Sequence, residues 1–269
     1  MDRPAWAPEG VDMAQPSPAR MYDALLGGSH NFEVDRRAAQ RGSSLVPDLP
    51  RLALSNRAFL RRAVRFLLDQ GVTQLIDIGS GIPTAGNVHE IVRERSSPAR
   101  VLYIDIDPIA VAHSRAILVG ERDYGAIEAD LRDPADLLAR IRDTGLVDLG
   151  RPVGILMFAV LHLLSDDQRP AAKVAALREA VAPGSYLALS HLSSAQRPED
   201  AARLGASSAV GNGVGIHFRS RAAITEMFDG WRPVEPGVVE LPLWRPESDR
   251  DRHEAPGRSL GLAGVACKA

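Results

Sequence analysis

Short apolar runs alternate along this chain with stretches whose apolar residues recur at helical spacing. The clearest run, Gln74-Leu75-Ile76-Asp77-Ile78, leads directly into Gly79-Ser80-Gly81-Ile82-Pro83. Leu75, Ile76 and Ile78 suit a strand covered on both faces, as in a parallel sheet, and Gly79 and Gly81 remove Cβ atoms that would hold a ligand away from the turn. Similar runs lie at residues 101–104, 126–130, 153–162, 185–190 and 260–266. Between them, residues 55–70 predict a helix capped by Ser55, with Phe59, Leu60, Ala63, Val64 and Leu67 as its buried stripe and Gly71 as its stop. Further helices are expected after Asn87, over 109–119, after Asp133-Pro134, over 168–181 and over 221–228. The pattern predicts one large α/β domain with an appendage.

That appendage is N-terminal. Residues 1–16 are rich in proline without apolar period and are expected to be mobile. Residues 19–26 place Met21, Leu25 and Leu26 on one helical face, and Gly27-Gly28 ends it before the crowded Ser29-His30-Asn31-Phe32-Glu33-Val34-Asp35-Arg36-Arg37. A glycine hinge between short helices suits a lid over 17–54, with the α/β domain at 55–269. An arm capping one end of the sheet fits equally well. Residues 193–219 are small and polar, with Gly205, Gly211, Gly213 and Gly215, and read either as an acceptor-selecting insertion or as a surface loop. Residues 231–243 read as a proline-interrupted strand, and 247–258 as a charged hairpin loop.

Composition narrows the partners. The chain of 269 residues is 45% apolar and 25% charged, with a net charge of −2, so nothing in the global charge favours nucleic acid or anionic membrane. The arginines at 57, 61, 62 and 65 lack interleaved aromatics and read as a solvated helix face. The longest apolar stretch, residues 153–164, contains a histidine and falls short of the roughly 20 residues of a membrane span. The single cysteine, Cys267, excludes an internal disulfide framework, and no signal-type apolar core precedes residue 50, so a reducing cytoplasm is expected.

The motif Asp77-x-Gly79-Ser80-Gly81 resembles the first glycine motif of S-adenosylmethionine-dependent methyltransferases. A dinucleotide-binding turn would want glycine or alanine where Thr84 stands, which favours a nucleoside without a pyrophosphate. The second strand closes on Asp105-Ile106-Asp107-Pro108, where a carboxylate can hold a ribose diol. Asp105 is the better candidate, and Asp107 fits a helix cap. The resemblance gives Asp130 the adenine amino group and Leu131 the backbone amide facing the ring, and it makes Phe158, Ala159 and Val160 the floor of the transfer cleft. The stretch Pro18-Ala19-Arg20-Met21-Tyr22-Asp23-Ala24-Leu25-Leu26-Gly27-Gly28 with Asn31-Phe32 resembles the N-terminal signature of a largely uncharacterised bacterial subgroup of that family. This implies cofactor or substrate contacts from Arg20, Tyr22, Asp23, His30 and Asn31. The implied fold is Rossmann-like: a doubly wound, seven-stranded, mostly parallel sheet with one antiparallel edge strand, under an N-terminal helical lid.

The implied activity is methyl transfer from S-adenosylmethionine to a small molecule, in specialised metabolism. No Asn-Pro-Pro-Tyr motif of nucleic-acid base or glutamine methylation follows the fourth strand. His162 is a candidate general base, His191 a neighbour at the next strand end, and Tyr22 a third candidate from the arm. The seven histidines show no zinc-type spacing, so no metal is expected. Sulfonium methyl transfer has a neutral leaving thioether and relies on alignment, so the lack of an evident triad is no obstacle. Three alternatives stand beside it: intramolecular cyclisation of the methionine moiety with release of methylthioadenosine, a nucleoside-binding regulator without turnover, and a nicotinamide dehydrogenase.

Overall fold

The computed structural model describes residues 12–83, 86–207, 215–247, 257 and 259–269. Residues 1–11, Thr84, residues 208–214 of the glycine-rich stretch and most of the charged loop at 247–258 lie outside the described residues.

The strand after Thr73, β1 (Gln74–Ile78), is buried at every position, and alternation sends its residues to two separate cores. Leu75 faces a cluster built on Phe59, Leu60, Val64 and Leu67 of helix α3 (Leu49–Asp69) and Val88 and Ile91 of α4 (Val88–Glu94). Ile76 and Ile78 face Leu137 and Ile141 of α6 (Pro134–Asp143) and Leu177 of α7 (Pro170–Ala180). Around β1 lie β2 (Arg100–Asp105), β3 (Tyr124–Glu128), β4 (Gly154–Phe158), β5 (Tyr186–Leu192) and β8 (Gly261–Cys267), with α5 (Pro108–Ile117) following β2. Strand order is β3-β2-β1-β4-β5-β8-β6, parallel as far as β5. The expected doubly wound sheet with one reversed strand is present. The reversed strand β8 is not its outer edge, because β6 (Arg232–Pro233) and β7 (Val239–Glu240), two residues each, pair along its far side.

Several local expectations are corrected. The helix expected from Ser55 begins at Leu49, so Ser55 is a buried mid-helix residue and the boundary drawn at 54/55 falls inside α3. Arg62 is buried rather than solvated, donating to the carbonyls of Trp244 (2.8 Å) and Leu241 (2.7 Å). Residues 198–207 form a helix, α8 (Pro198–Ser207), whose Ala201 and Leu204 pack against Val46. Residues 231–243 hold two short strands and a 3-10 turn in place of one strand.

The N-terminal arm is a helical hairpin of α1 (Pro18–Leu25) and α2 (Glu33–Leu45). Asp23 organises its turn: its carboxylate accepts from the amide of His30 (3.0 Å) and the side chain of Asn31 (2.7 Å). A Cβ on Gly28 would stand 1.9 Å from Asp23 Oδ1. Gly28→Ala is therefore expected to destabilise the protein by about 1–3 kcal/mol, the usual cost of overpacking, measured as a lowered urea midpoint.

Candidate cofactor and acceptor site

The tips of β1 to β5 open onto a cavity of about 1080 Å³, walled on the other side by α1, α2, the start of α3, α8 and residues 215–217. At its centre the amides of Gly79 and Ser80 donate to Ile104 O (2.8 and 3.1 Å), folding the turn over the end of β2. Both glycines adopt positive φ, +71° at Gly79 and +66° at Gly81, yet their roles differ. A Cβ on Gly79 would meet Val160 Cγ2 at 2.4 Å, whereas one on Gly81 would meet nothing within 4 Å. Gly81 thus leaves room for a ligand, and Gly79 lets the end of β4 close against the turn.

Asp105 ties this turn to β2. Its carboxylate accepts from the amides of Gly81 (2.7 Å) and Asp107 (2.8 Å), and burial still pushes its pKa up to about 6. Asp107 caps α5 through the amide of Ile109 (2.8 Å), as expected, and also accepts from Ser17 Oγ of the N-terminal arm. Arg20 lies beside it, 3.8 Å from Asp107 and hydrogen-bonded to Asp35 at 2.9 Å. Asp77 is different. It is only 4% exposed, no described residue donates a hydrogen bond to it, and burial pushes its pKa up to about 7, with the charge of Arg57 opposing and that of Asp105 adding.

At the β3 end, burial would raise Asp130, but the guanidinium and amide of Arg132 hydrogen-bond to it (2.8 Å each at closest) and hold it below the usual carboxylate range. Leu131 is buried in the core beneath, and Ile106 exposes its side chain on the cavity wall.

Beyond Phe158 the chain leaves β4 through Ala159, whose φ of +54° is uncommon for a residue with a Cβ. Its amide donates to Ser190 Oγ (3.0 Å), Ser190 Oγ donates to Asn56 Oδ1 (2.6 Å), Asn56 Nδ2 donates to Tyr22 Oη (3.0 Å), and Tyr22 donates to Ala53 O (3.0 Å). This chain joins the floor of the cleft to α3 and the N-terminal arm. It also occupies the Tyr22 hydroxyl, whose pKa burial raises against the pull of Arg57 and Asn56.

The two histidines sit with ring centroids 5.8 Å apart. His191 lies within β5, its Nδ1 donating to Leu192 O (2.6 Å) and its Nε2 accepting from Arg219 (2.9 Å). Burial lowers its pKa to about 4. With both nitrogens engaged it has none left for an acceptor, which corrects its expected catalytic place. His162, on a 3-10 turn at Leu161–Leu163, is 8% exposed and its Nδ1 has no hydrogen-bond partner among the described residues. Burial first, then the fields of His191, Arg219 and His217, keep it neutral.

Of the residues singled out from sequence, Arg20, Tyr22, Asp77, Gly79, Ser80, Gly81, Asp105, Ile106, Asp130, Leu131, Phe158, Ala159, Val160, His162 and His191 all line the cavity. Asp23 and Asn31 do not; they brace the α1–α2 turn behind its wall, and His30 packs on His113 (ring centroids 4.0 Å). Arg57 lines the cavity, correcting its place on a solvated face. Asn56, Ser190, Arg132 and His217 were missed. A polar Ser-Asn pair inside an otherwise apolar helical stripe was the one available signal.

A sequence model for the S-adenosyl methyltransferase family matches residues 4–269. The chain belongs to the S-adenosyl methyltransferase family. A protein of Thermobifida fusca assigned as a methyltransferase has a crystal structure with TM-score 0.91 and 39% identity, covering 98% of this chain and 99% of that one. A DUF574 family protein of Streptomyces avermitilis gives TM-score 0.90 at 32% identity, covering 96% and 99%. Human N-acetylserotonin methyltransferase in complex with S-adenosylmethionine shares the fold alone, with TM-score 0.53 at 14% identity over 94% of this chain and 60% of that one. No curated protein matches. This family member is an S-adenosylmethionine-dependent methyltransferase, and the cyclisation, regulator and dehydrogenase alternatives are not favoured. The residues present suit the cofactor: a buried carboxylate at Asp77 with no hydrogen-bond donor among the described residues invites a cationic donor, and Gly81 keeps the turn open beside it. Among the described residues no helix is long and apolar enough to cross a membrane.

Proposed function

We propose that this enzyme methylates a small, largely apolar molecule on an atom that gives up an acidic proton, as a phenol or enol does, in a reducing cytoplasm. The observation that carries the reading is His162: a buried, neutral imidazole on the β4–β5 side of the cavity whose Nδ1 has no hydrogen-bond partner among the described residues. S-adenosylmethionine supplies a methyl group on a positive sulfur with a neutral leaving group. His162 accepts the acceptor's proton as the new bond forms, and its lowered basicity suits an acidic proton better than that of an alcohol. Around it the wall is mostly apolar, with Leu163 and Leu164 from below and Leu45, Leu49 and Leu204 from α2, α3 and α8, which suits an apolar acceptor body.

Asp105 takes the ribose diol in this reading, since each of its oxygens already accepts one amide and retains a second lone pair. Asp130, kept ionised by Arg132, takes the adenine amino group beside Ile106. The α1–α2 hairpin serves as the lid, latched to the β2 end through Ser17, Arg20 and Asp107. The test is a panel of phenols, enols, amines and alcohols with S-adenosylmethionine, scored by mass spectrometry for methylated product and S-adenosylhomocysteine. With the acceptor found, His162→Gln is expected to lower kcat/KM by about 10²–10⁴-fold while leaving S-adenosylhomocysteine affinity unchanged. Full activity in that variant would reject His162 as base, and methylthioadenosine formed without an acceptor would restore cyclisation.

A further inference from the structure

The 3-10 turn that carries His162 is three residues long, too short to hold itself firmly. Arg219 supplies the hold. Its side chain is buried, and all three guanidinium nitrogens are engaged. Nη1 donates to Leu161 O (3.2 Å) and His191 Nε2 (2.9 Å), Nη2 donates to Leu164 O (2.7 Å) and Asp166 Oδ1 (2.7 Å), and Nε donates to the same Asp166 oxygen (3.0 Å). Leu161 precedes His162 directly, and Leu164 follows shortly after it. Between them the carbonyl of His162 itself accepts from the amide of His217 (2.8 Å). Arg219 is in turn tied to the end of β5, its amide donating to Leu192 O (3.2 Å) and its carbonyl accepting from the amide of Ser194 (3.1 Å). The turn is thus gripped on both sides of the imidazole from a fixed point on the neighbouring strand.

We infer that Arg219 is the positioning residue for His162: by holding the carbonyls on either side of it, the guanidinium fork sets the direction in which the imidazole faces the cavity. This rests on the reading of His162 as the base, and it gives a task to a residue of the stretch at 193–219 that no sequence pattern explained. A reacting group displaced by about 1 Å loses on the order of 10²-fold in rate, so an anchor on both sides of the turn bears directly on transfer. Lysine is no equivalent, because a single ammonium lacks the planar fork that reaches several acceptors at once. The same cation acts through its field. After burial and the field of His191 from β5, it opposes a proton on His162, as does His217, while Asp166 pairs with Arg219 from the exposed side.

The experiment is NMR on the full chain with isotopically labelled histidine rings and S-adenosylhomocysteine as the added probe, so that no acceptor is needed. Spectra of His162→Gln and His191→Gln assign the two rings. In the wild type His162 is expected to give one sharp set of signals from a single neutral tautomer between pH 8 and pH 6. Arg219→Gln should broaden or split those signals and move the titration midpoint of His162 upward, while calorimetric affinity for S-adenosylhomocysteine stays unchanged. Arg219→Lys keeps the charge without the fork, so it should broaden the signals and leave the midpoint low. That contrast separates aim from field. Signals and midpoint of wild-type character in Arg219→Gln, with only a lowered urea midpoint, would make Arg219 a residue of the fold alone and overturn the proposal. Sharp signals in Arg219→Lys would overturn the role of the fork, and broad signals in the wild type would show that nothing aims the ring. Loss of S-adenosylhomocysteine binding in both Arg219 variants would also overturn the proposal, since Arg219 would then support the whole domain and not one turn. Full activity in His162→Gln would reject the base, and the anchor's purpose with it, on a measurement separate from the ring spectra.

Discussion

Asp77→Asn is expected to make the unliganded protein more stable at pH 8 than the wild type while weakening its hold on the cofactor. Asp77 titrates near 7 in the folded chain against 3.8 as its reference, and Asp105 near 6. An acid whose folded pKa is raised binds more protons folded than unfolded between those two values. Its contribution to stability is therefore whole below about 4 and is lost as pH rises to 7. For Asp77 the loss by pH 8 is on the order of 4 kcal/mol, which the amide would remove. The buried histidines act in the opposite sense: the lowered values of His162 and His191 cost stability as pH falls below about 6.5, where the unfolded chain takes up their protons. The informative quantity is the difference between variant and wild type, measured by urea denaturation from pH 5 to 8. It should grow with pH, and a difference that stays flat would contradict the burial of Asp77 with no donor among the described residues. A cation bound beside Asp77 favours its ionised form, so wild-type affinity for S-adenosylhomocysteine should rise from pH 6 to 8 and that of Asp77→Asn should not.

The second large effect separates the two glycines of the β1 turn. Gly79→Ala puts a methyl 2.4 Å from Val160 Cγ2 and 2.7 Å from Val160 Cβ, at a φ of +71° that an L-residue adopts at a cost. Strain and overpacking together should cost about 2–4 kcal/mol and displace the β4 end, so stability and binding fall together. Gly81→Ala meets no atom within 4 Å, so it should cost only about 1 kcal/mol in stability. Its methyl projects beside the ligand's place and should lower cofactor affinity in a chain that still melts nearly as the wild type does. Thermal denaturation and calorimetry on the two variants check this directly. Equal effects on stability would show that the two turns of backbone are not differently packed.

How much of this was legible in advance follows from what each residue touches. The β1 strand and its glycine turn were readable because five consecutive positions are buried between helices on both faces of the sheet. The cap at Asn87 was readable because a cap is local: Asn87 and Glu90, three residues apart, complete it. The start of α3 was misread because Ser55 and Asn56 are polar residues on an inward face. They belong to a hydrogen-bonded chain that reaches Ser190, and a polar pair inside an apolar stripe looks like a helix end. Arg62 was misread for the same reason, its partners at Trp244 and Leu241 lying 182 and 179 residues further along the chain. The helix at 198–207 was hidden because only Ala201 and Leu204 are buried, too few to declare a period.

The sequence by itself determined the architecture and the class of cofactor, because both rest on short-range patterns: alternation, glycines at a strand end, acids at the next two strand ends. The tertiary structure decided what each charged group does. It took His191 out of the chemistry by engaging both its nitrogens, sent Asp23 and Asn31 to brace a turn, gave the space above Gly79 to Val160, and brought Arg57 into the cavity that Asp77 lines. The physical reason is that charge state and catalytic readiness depend on desolvation and on partners brought from distant segments. Spacing along a chain reports burial, whereas the identity of the neighbour across the cleft is settled only by folding.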